Sequence, residues 1–296
     1  MVTPTNYRTI FDSSTWWQTM APNFDTCTWQ QGSASVSFPY SITQKAGVRF
    51  LRNPHLTPYV LPLWQGIQTE AEKKQCLEAA ILQLPPCDVA EWHWHPTCGE
   101  LHVPGYRSEQ HHTRCLYLHP IEELWRKCKP SLQRQIKKGK KSLRIQTGFD
   151  AHLLQEMQTQ SLNRSGKNKG IPLAELEKAI AMVQQQKNGY ILSAAIEHQV
   201  VAAVFIVWDE STTYYLSGGT TREGQVHGAM SSLLWRAIED ALKRQGRYFD
   251  FEGSRHEGID RFFSQFGAEK IPYTVLVKNN SWMHKMYEQI KRWVNA

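Results

Sequence analysis

The segment Tyr248–Glu252 sets two acids, Asp250 and Glu252, among aromatic residues at the spacing that puts both on one face of a strand. A carboxyl group in an apolar strand is costly unless it is paired or used. Two roles are open to Glu252: a base or amine-orienting group with Asp250 beside it, or a structural carboxylate paired with Arg255 or Arg261. Upstream, Tyr215 and Ser217 alternate with Tyr214 and Leu216, so either hydroxyl can give a proton to a leaving group. His227 can work as acid or base, cap a helix or face water. A base, a proton donor and an oxyanion stabiliser together are what acyl transfer to an amine requires.

Two further segments read as anion-binding. Gly218–Gly228 holds four glycines, Gly218, Gly219, Gly224 and Gly228, and runs into a helix that starts at Ala229. Glycines let backbone approach a phosphate, and the first N–H groups of a helix have no carbonyl of their own to bond. Arg134–Lys141 carries five Lys or Arg, of which Arg134, Lys137 and Lys141 or Lys138 project to one side at helical spacing. These can grip the phosphates of a nucleotide-linked substrate or RNA, or form a solvated face. Tyr59 and Trp64, on the proline-rich stretch 53–64, can line a substrate groove or pack a loop core. His93, His95, His111 and His112 invite a zinc reading, but no cysteine pair or HExxH motif accompanies them, so no metal is expected.

The chain of 296 residues has a net charge of +7, with 41% hydrophobic and 21% charged residues. That fits a folded protein with an anionic partner or one that is basic for solubility. No apolar run reaches the roughly 18 residues that span a membrane, and residues 1–10 lack the apolar core of a signal peptide. The six cysteines form no CxxC pair and read as reduced thiols. A cytoplasmic protein is the expectation.

The elements that must position these residues follow from periodicity. A helix over 13–20 buries Trp16 and Trp17, strands cover 33–40 and 48–52, and Thr69 with Glu72 caps a helix ended by Pro85 and Pro86. Strands follow at 89–95 and 112–118, then a helix over 121–127 and a second that Ser131 can cap. Helices over 152–162 and 173–186 precede a meander of strands at 190–197, 200–208 and 213–217. After the long helix that opens at Ala229, the strand 248–252 leads to a helix capped by Ser254 and Glu257, which buries Ile259, Phe262, Phe263 and Phe266. A strand over 271–277 follows, and Met283, Met286, Tyr287, Ile290 and Trp293 predict a terminal amphipathic helix. The boundary between two domains, 1–130 and 131–296, falls at the basic connector.

This order, with YYLSGGTTREGQVHGAMSSLLWRAIEDALKRQG, YFDFEGS and FFSQFGAEK, resembles the GNAT acetyltransferases. The two-halved plan, the basic stretch 131–141 and the FDF-type segment are similar to the FemABX-like branch, which includes peptidoglycan-bridge aminoacyltransferases. The long coiled-coil insertion of some cell-wall members has no counterpart here. The resemblance implies an α/β (α+β) fold of two tandem GNAT-like domains, each a mixed, mostly antiparallel sheet flanked by helices. It implies a cofactor pyrophosphate on a loop of pattern Arg/Gln-x-x-Gly-x-Gly/Ala. The nearest match runs from Gln225 through Gly228 and Ala229 to Met230, where the last position departs from the pattern. The expected activity is transfer of an acyl or aminoacyl group, from acyl-CoA or aminoacyl-tRNA, to an amine-bearing small molecule or nucleotide-linked substrate. The alternative is a non-catalytic module of the same fold that holds RNA or a nucleotide-linked precursor in a basic groove. Gly228→Val is expected to weaken donor binding and spare the fold.

Overall fold

Ser13 and Thr69 show how local chemistry starts the elements of this chain. Ser13 Oγ accepts the Trp16 N–H at 3.1 Å, and Thr69 with Glu72 forms a reciprocal capping box. The structure, a computed structural model, describes residues 8–67, 69–164, 166, 170–253, 257–282 and 284–286. It divides into two compact units, Met1–His111 with Pro272–Ala296, and His112–Ile271.

The first unit begins with α1 (Ser14–Met20), which buries Trp16 and Trp17 completely. Their indole N–H groups bond Thr57 Oγ1 at 2.8 Å and the Phe11 carbonyl at 2.7 Å. Strands β1 (Asp25–Gln31), β2 (Ala34–Tyr40), β3 (Ile42–Lys45), β4 (Val48–Arg52) and β5 (Leu63–Gln65) follow, then α2 (Glu70–Leu82) and β6 (Val89–His93). β1, β2 and β5 make a three-stranded antiparallel sheet. β1 and β3 escaped the sequence reading because they are polar; only Cys27 of β1 and no residue of β3 is buried.

The second unit takes in residues 112–117 of β7 (Arg107–Tyr117), then α3 (Ile121–Lys127), α4 (Pro130–Ser142), β8 (Arg144–Gly148), α5 (Ala151–Arg164) and α6 (Leu173–Gln186). It continues through β9 (Gly189–Ile196), β10 (Gln199–Trp208), β11 (Thr212–Thr220), α7 (Arg222–Val226), α8 (Ala229–Lys243), β12 (Tyr248–Asp250) and α9 (Glu257–Ser264). A last strand, β13 (Glu269–Asn279), ends in the first unit, where it pairs antiparallel with β6; β6 pairs parallel with β4.

The sheet of the second unit has the order β7-β12-β11-β10-β9-β8, antiparallel except for the parallel pair β11 and β12. β10 is its centre, with every residue from Val201 to Val207 fully buried. Ala202, Val204 and Ile206 pack with Leu233, Leu234, Ala237 and Ile238 of α8. Alternation leaves Ala203, Phe205 and Val207 for the other face, where α5 and α6 lie. Each half of the expectation, mixed sheets flanked by helices, is what the structure has.

Several boundaries differ from expectation. α3 belongs to the core of the second unit: Leu124 is fully buried and Trp125 meets Trp235 of α8 edge-on at 5.1 Å. The division between units therefore falls near 111 and 271 instead of 130. Ser131 does not cap α4, because Pro130 already occupies the first turn and Lys129 is the N-cap; the Ser131 hydroxyl donates to Gln265 Oε1 at 3.0 Å. Residues 254–256 lie outside the described residues, and so does most of the expected terminal helix, including Met283, Tyr287, Ile290 and Trp293. No helix among the described residues is long and apolar enough to cross a membrane.

Candidate active site

The parallel strands β11 and β12 pair through only three positions, ending at Tyr214 and Asp250. Beyond that point β11 runs on to Thr220 beside β10, while the Phe251 N–H turns to the Arg114 carbonyl of β7 at 2.9 Å. The carboxyl ends of the two strands thus part company, the place where α/β sheets open a crevice. Tyr215 follows at once on β11, and Glu252 comes two residues after Asp250.

Glu252 does not continue the strand, as alternation predicts. It takes a left-handed backbone, φ 52°, and its N–H bonds Asp250 Oδ1 at 2.8 Å. The two acids are therefore not side-by-side ladder residues. Asp250 is buried and also accepts from the Thr113 hydroxyl. Glu252 is enclosed by protein yet keeps partial solvent access, which describes a recess, and among the described residues its Oε1 has no hydrogen-bond partner. Burial first, and the neighbouring Asp250 charge second, hold its carboxyl well above the usual range. Arg255 lies outside the described residues and Arg261 makes no ion pair with Glu252.

Tyr215 faces the same recess. Burial and the charge of Glu252 push its hydroxyl above the ordinary phenol range. Its ring meets Phe263 of α9 at 5.8 Å, and its hydroxyl lies against Gly218, where a Cβ would sit 2.9 Å from it. A bulge inserts Leu216 between the partners of Phe205 and Ile206, re-aiming the strand at this point. Ser217 is bonded by the Gln158 side-chain amide from α5. Sequence reasoning missed Thr113 and Gln158. Gln158 had a signal, a polar residue four positions after Leu154 on the buried stripe of α5; Thr113 had none in its own strand.

The glycine segment divides in two. Gly218 and Gly219 are strand residues of β11, not loop. At Gly219 the backbone of Met157 comes so close that a side chain has no room. Gly224 and Gln225 belong to α7, which Thr221 caps by accepting the Gly224 N–H at 2.9 Å. Gly228 is the N-cap of α8 with φ 68°, and the N–H groups of Ala229, Met230 and Ser231 open that helix.

The basic run lies beside this helix start. Gln135 Oε1 accepts from Ser231 Oγ at 2.6 Å, Lys138 Nζ donates to the Val226 carbonyl at 2.8 Å, and His227 Nδ1 lies 3.0 Å from Ser142 Oγ. His227 thus joins α7 to α4, with no described interaction to Glu252 or Tyr215. Arg134, Lys137, Lys138 and Lys141 are exposed on α4, whose inner face is Leu132, Ile136 and Gly139. Positive side chains therefore flank the positive end of a helix dipole.

This packing overturns the expectation for Gly228. A Cβ there would stand 2.7 Å from the Gln135 backbone oxygen, on a left-handed residue. Gly228→Val should destabilise the protein by about 2–4 kcal/mol through strain and loss of the α4–α8 contact. Urea unfolding checks it; an unchanged midpoint would contradict the packing.

Tyr59 lies in the first unit, buried, with its ring against Tyr273 at 5.1 Å and His95 at 5.8 Å, the packing of a core residue. His111 bonds Glu109 and His112 bonds Asp260, at 3.2 and 3.0 Å. Among the described residues no three His, Cys, Asp or Glu side chains gather as metal ligands.

Comparison with known proteins bears on this arrangement. Residues 126–264 match the family described as acetyltransferase (GNAT) domain. FemX shares the fold with a TM-score of 0.65 at 10% identity, over 97% of this chain and 96% of that one. The C-terminal domain of a putative lysylphosphatidylglycerol synthetase from Agrobacterium fabrum gives 0.57 at 11% identity, over 92% and 88%. L-PGS from Bacillus licheniformis gives 0.51 at 12%, over 93% and 90%. At such identities the likeness is one of fold. No curated protein matches the sequence.

Proposed function

We propose, since residues 126–264 match the acetyltransferase (GNAT) domain family and the chain shares its fold with FemX, that the second unit transfers an acyl or aminoacyl group to an amine. The observation that carries this reading is the recessed Glu252, whose Oε1 has no partner, beside Tyr215 where β11 and β12 part. A buried carboxyl with no counter-ion among the described residues suits an acceptor that brings its own positive charge. An incoming ammonium lowers the carboxyl's proton affinity as it docks. Glu252 thereby releases its own proton to solvent, and the carboxylate takes the ammonium proton; the free amine attacks the acyl carbonyl, the bond from that carbon to the donor's sulfur or oxygen breaks, and Tyr215 gives a proton to the leaving thiolate or alkoxide. The fold's FemX-like plan supports the aminoacyl side of the reading, and the GNAT match supports acyl-CoA.

The donor's phosphates would lie on α4 and the start of α8. Arg134, Lys137, Lys138 and Lys141 supply charge, and Ala229, Met230 and Ser231 supply N–H groups. Gln225, exposed on α7, flanks that surface; Gly218 and Gly219 lie in the strand below and contribute close packing.

Calorimetric titration with CoA, acetyl-CoA and bulk aminoacyl-tRNA, at low and physiological salt, tests the donor assignment. The double variant Arg134→Glu, Lys141→Glu should bind the true donor roughly 10- to 100-fold more weakly, because each lost charge-assisted contact costs ~1 kcal/mol or more. Both residues are exposed and make no described bond, so the fold should persist. Binding of tRNA that falls steeply with salt, without any transfer, would instead establish the non-catalytic module, for which the exposed basic face of α4 is the specific observation.

A further inference from the structure

Of the six non-glycine residues with positive φ among the described residues, Ala46, Leu56, Lys187, Glu197 and Gln245 occupy turns or helix ends. Ala46 and Glu197 turn the chain at the ends of β3 and β9, whereas Glu252 stands beside Tyr215 at the recess. A left-handed backbone at a non-glycine residue is maintained only where the surroundings over-determine it. What determines it here is visible. Asp250 Oδ1 accepts the Glu252 N–H at 2.8 Å and is itself held by the hydroxyl of Thr113, which is 2% exposed. On the far side, Gly253 passes so close to the His112 carbonyl that no side chain fits. The chain is therefore pinned before and after Glu252, while the carboxyl, close enough to Tyr215 to act on its hydroxyl, has an Oε1 with no hydrogen-bond partner among the described residues.

We propose that Thr113 and Asp250 form a two-residue clamp that positions Glu252: Thr113 orients the Asp250 carboxyl, and Asp250 holds the Glu252 backbone in the one conformation that aims its side chain at Tyr215. Asp250 is on this account a positioning residue, not a second acid in the reaction. The proposal rests on the transfer reading for its purpose, but the clamp itself is a property of the protein alone. It has an electrostatic side as well. Among the described residues, the charged and titratable groups around Glu252 are Asp250 from β12 and Tyr215 from β11, with Cys115 of β7 next to Asp250. The Asp250 charge opposes ionisation of Glu252, so the carboxyl keeps its proton until a cation arrives.

The test uses the full chain without substrate. Amide hydrogen exchange at Glu252 and the 13C carboxyl titration of Glu252, assigned by its loss in Glu252→Gln, are followed by NMR. Asp250→Ala should remove about tenfold or more of the protection at the Glu252 amide. Asp250→Asn, which keeps a side-chain oxygen, should restore most of it, yet move the carboxyl midpoint down by ~1 pH unit or more because a like charge is gone. Thr113→Val should lose part of the protection and Thr113→Ser regain it. Unchanged exchange at core amides of β10 separates local from global opening; where Asp250→Ala does not fold, the Thr113 pair decides. Full protection at Glu252 in Asp250→Ala and Thr113→Val overturns the clamp, and an unmoved midpoint in Asp250→Asn overturns its electrostatic side. A clamp that passes these tests in a protein that transfers nothing leaves the positioning in place and removes the transfer reading. Transfer at full rate in Asp250→Ala, lost in Glu252→Gln, does the reverse.

Discussion

Glu252→Gln should lower transfer by about 10²- to 10⁴-fold, the usual cost of removing a positioned general base, and should at the same time make the protein more stable at neutral pH. The two effects share one cause. Burial and Asp250 hold the Glu252 carboxyl above its ordinary range, so the folded protein keeps a proton that the unfolded chain has released. Stability from this group is full below the unfolded pKa, about 4.3, and is lost as pH rises through the raised folded value. The amide introduced in the variant cannot ionise, so that loss disappears and its melting temperature at pH 7 should exceed the parent's. The parent's rate should climb with pH across the same window, because the ionised form is the base. Measuring kcat and melting temperature as functions of pH, from below the unfolded carboxyl value upward, checks both. A stability gain with no loss of transfer would assign Glu252 to structure and move the base elsewhere.

Arg114→Met should cost about 3 kcal/mol, the scale for breaking a mostly buried ion pair. Arg114 grips Asp260 through two bonds, 2.7 Å to Oδ1 and 2.8 Å to Oδ2, and a third joins it to the Ala268 carbonyl at 3.1 Å. The two side chains are 13% and 16% exposed, so solvent screens them little. Asp260 is on α9, the helix that carries Phe263 against Tyr215 and Phe251. Loosening it should therefore remove the aromatic wall of the recess along with the stability. Here the carboxyl is depressed, first by the Arg114 bond, with His112 and Lys270 assisting. Its contribution is present above the unfolded value, about 3.9, and fades as pH falls below it. The difference between parent and variant in urea should be largest near neutrality and narrow in acid. A gap that stays constant into acid would assign the cost to packing of the Arg114 stem.

The sequence disclosed those parts of this architecture that bury alternating or helical apolar stripes. α8, β9 and β10 are legible because their partners are apolar on every inward position. β1 and β3 are not, since they are paired edge strands of mostly polar residues. The aromatic stripe of Phe262, Phe263 and Phe266 announced α9, but the ion pair that fixes it joins residues 146 apart, and no local pattern reports such a bond. At the site, Asp250, Glu252 and Tyr215 were recognisable as polar groups in apolar strands. Their relation was not, because strand alternation sends both acids to one face and the left-handed turn at Glu252 breaks it. The glycines misled for a related reason. A glycine that admits a neighbouring backbone, as Gly219 does for Met157 and Gly228 for Gln135, has the same letter as one that admits a phosphate.

The first unit is made from two separate stretches of chain, and the second from one uninterrupted stretch between them. During synthesis from the N-terminus, residues 112–271 are complete before residues 272–279 leave the ribosome. The second unit can thus fold as it emerges, whereas β6 must wait for Val275–Asn279 of β13 to cover its edge. In that interval a nascent chain presents an open strand edge, a template for pairing with other chains. A pause or truncation late in translation would strand the first unit with that edge open, and leave the second unit already folded.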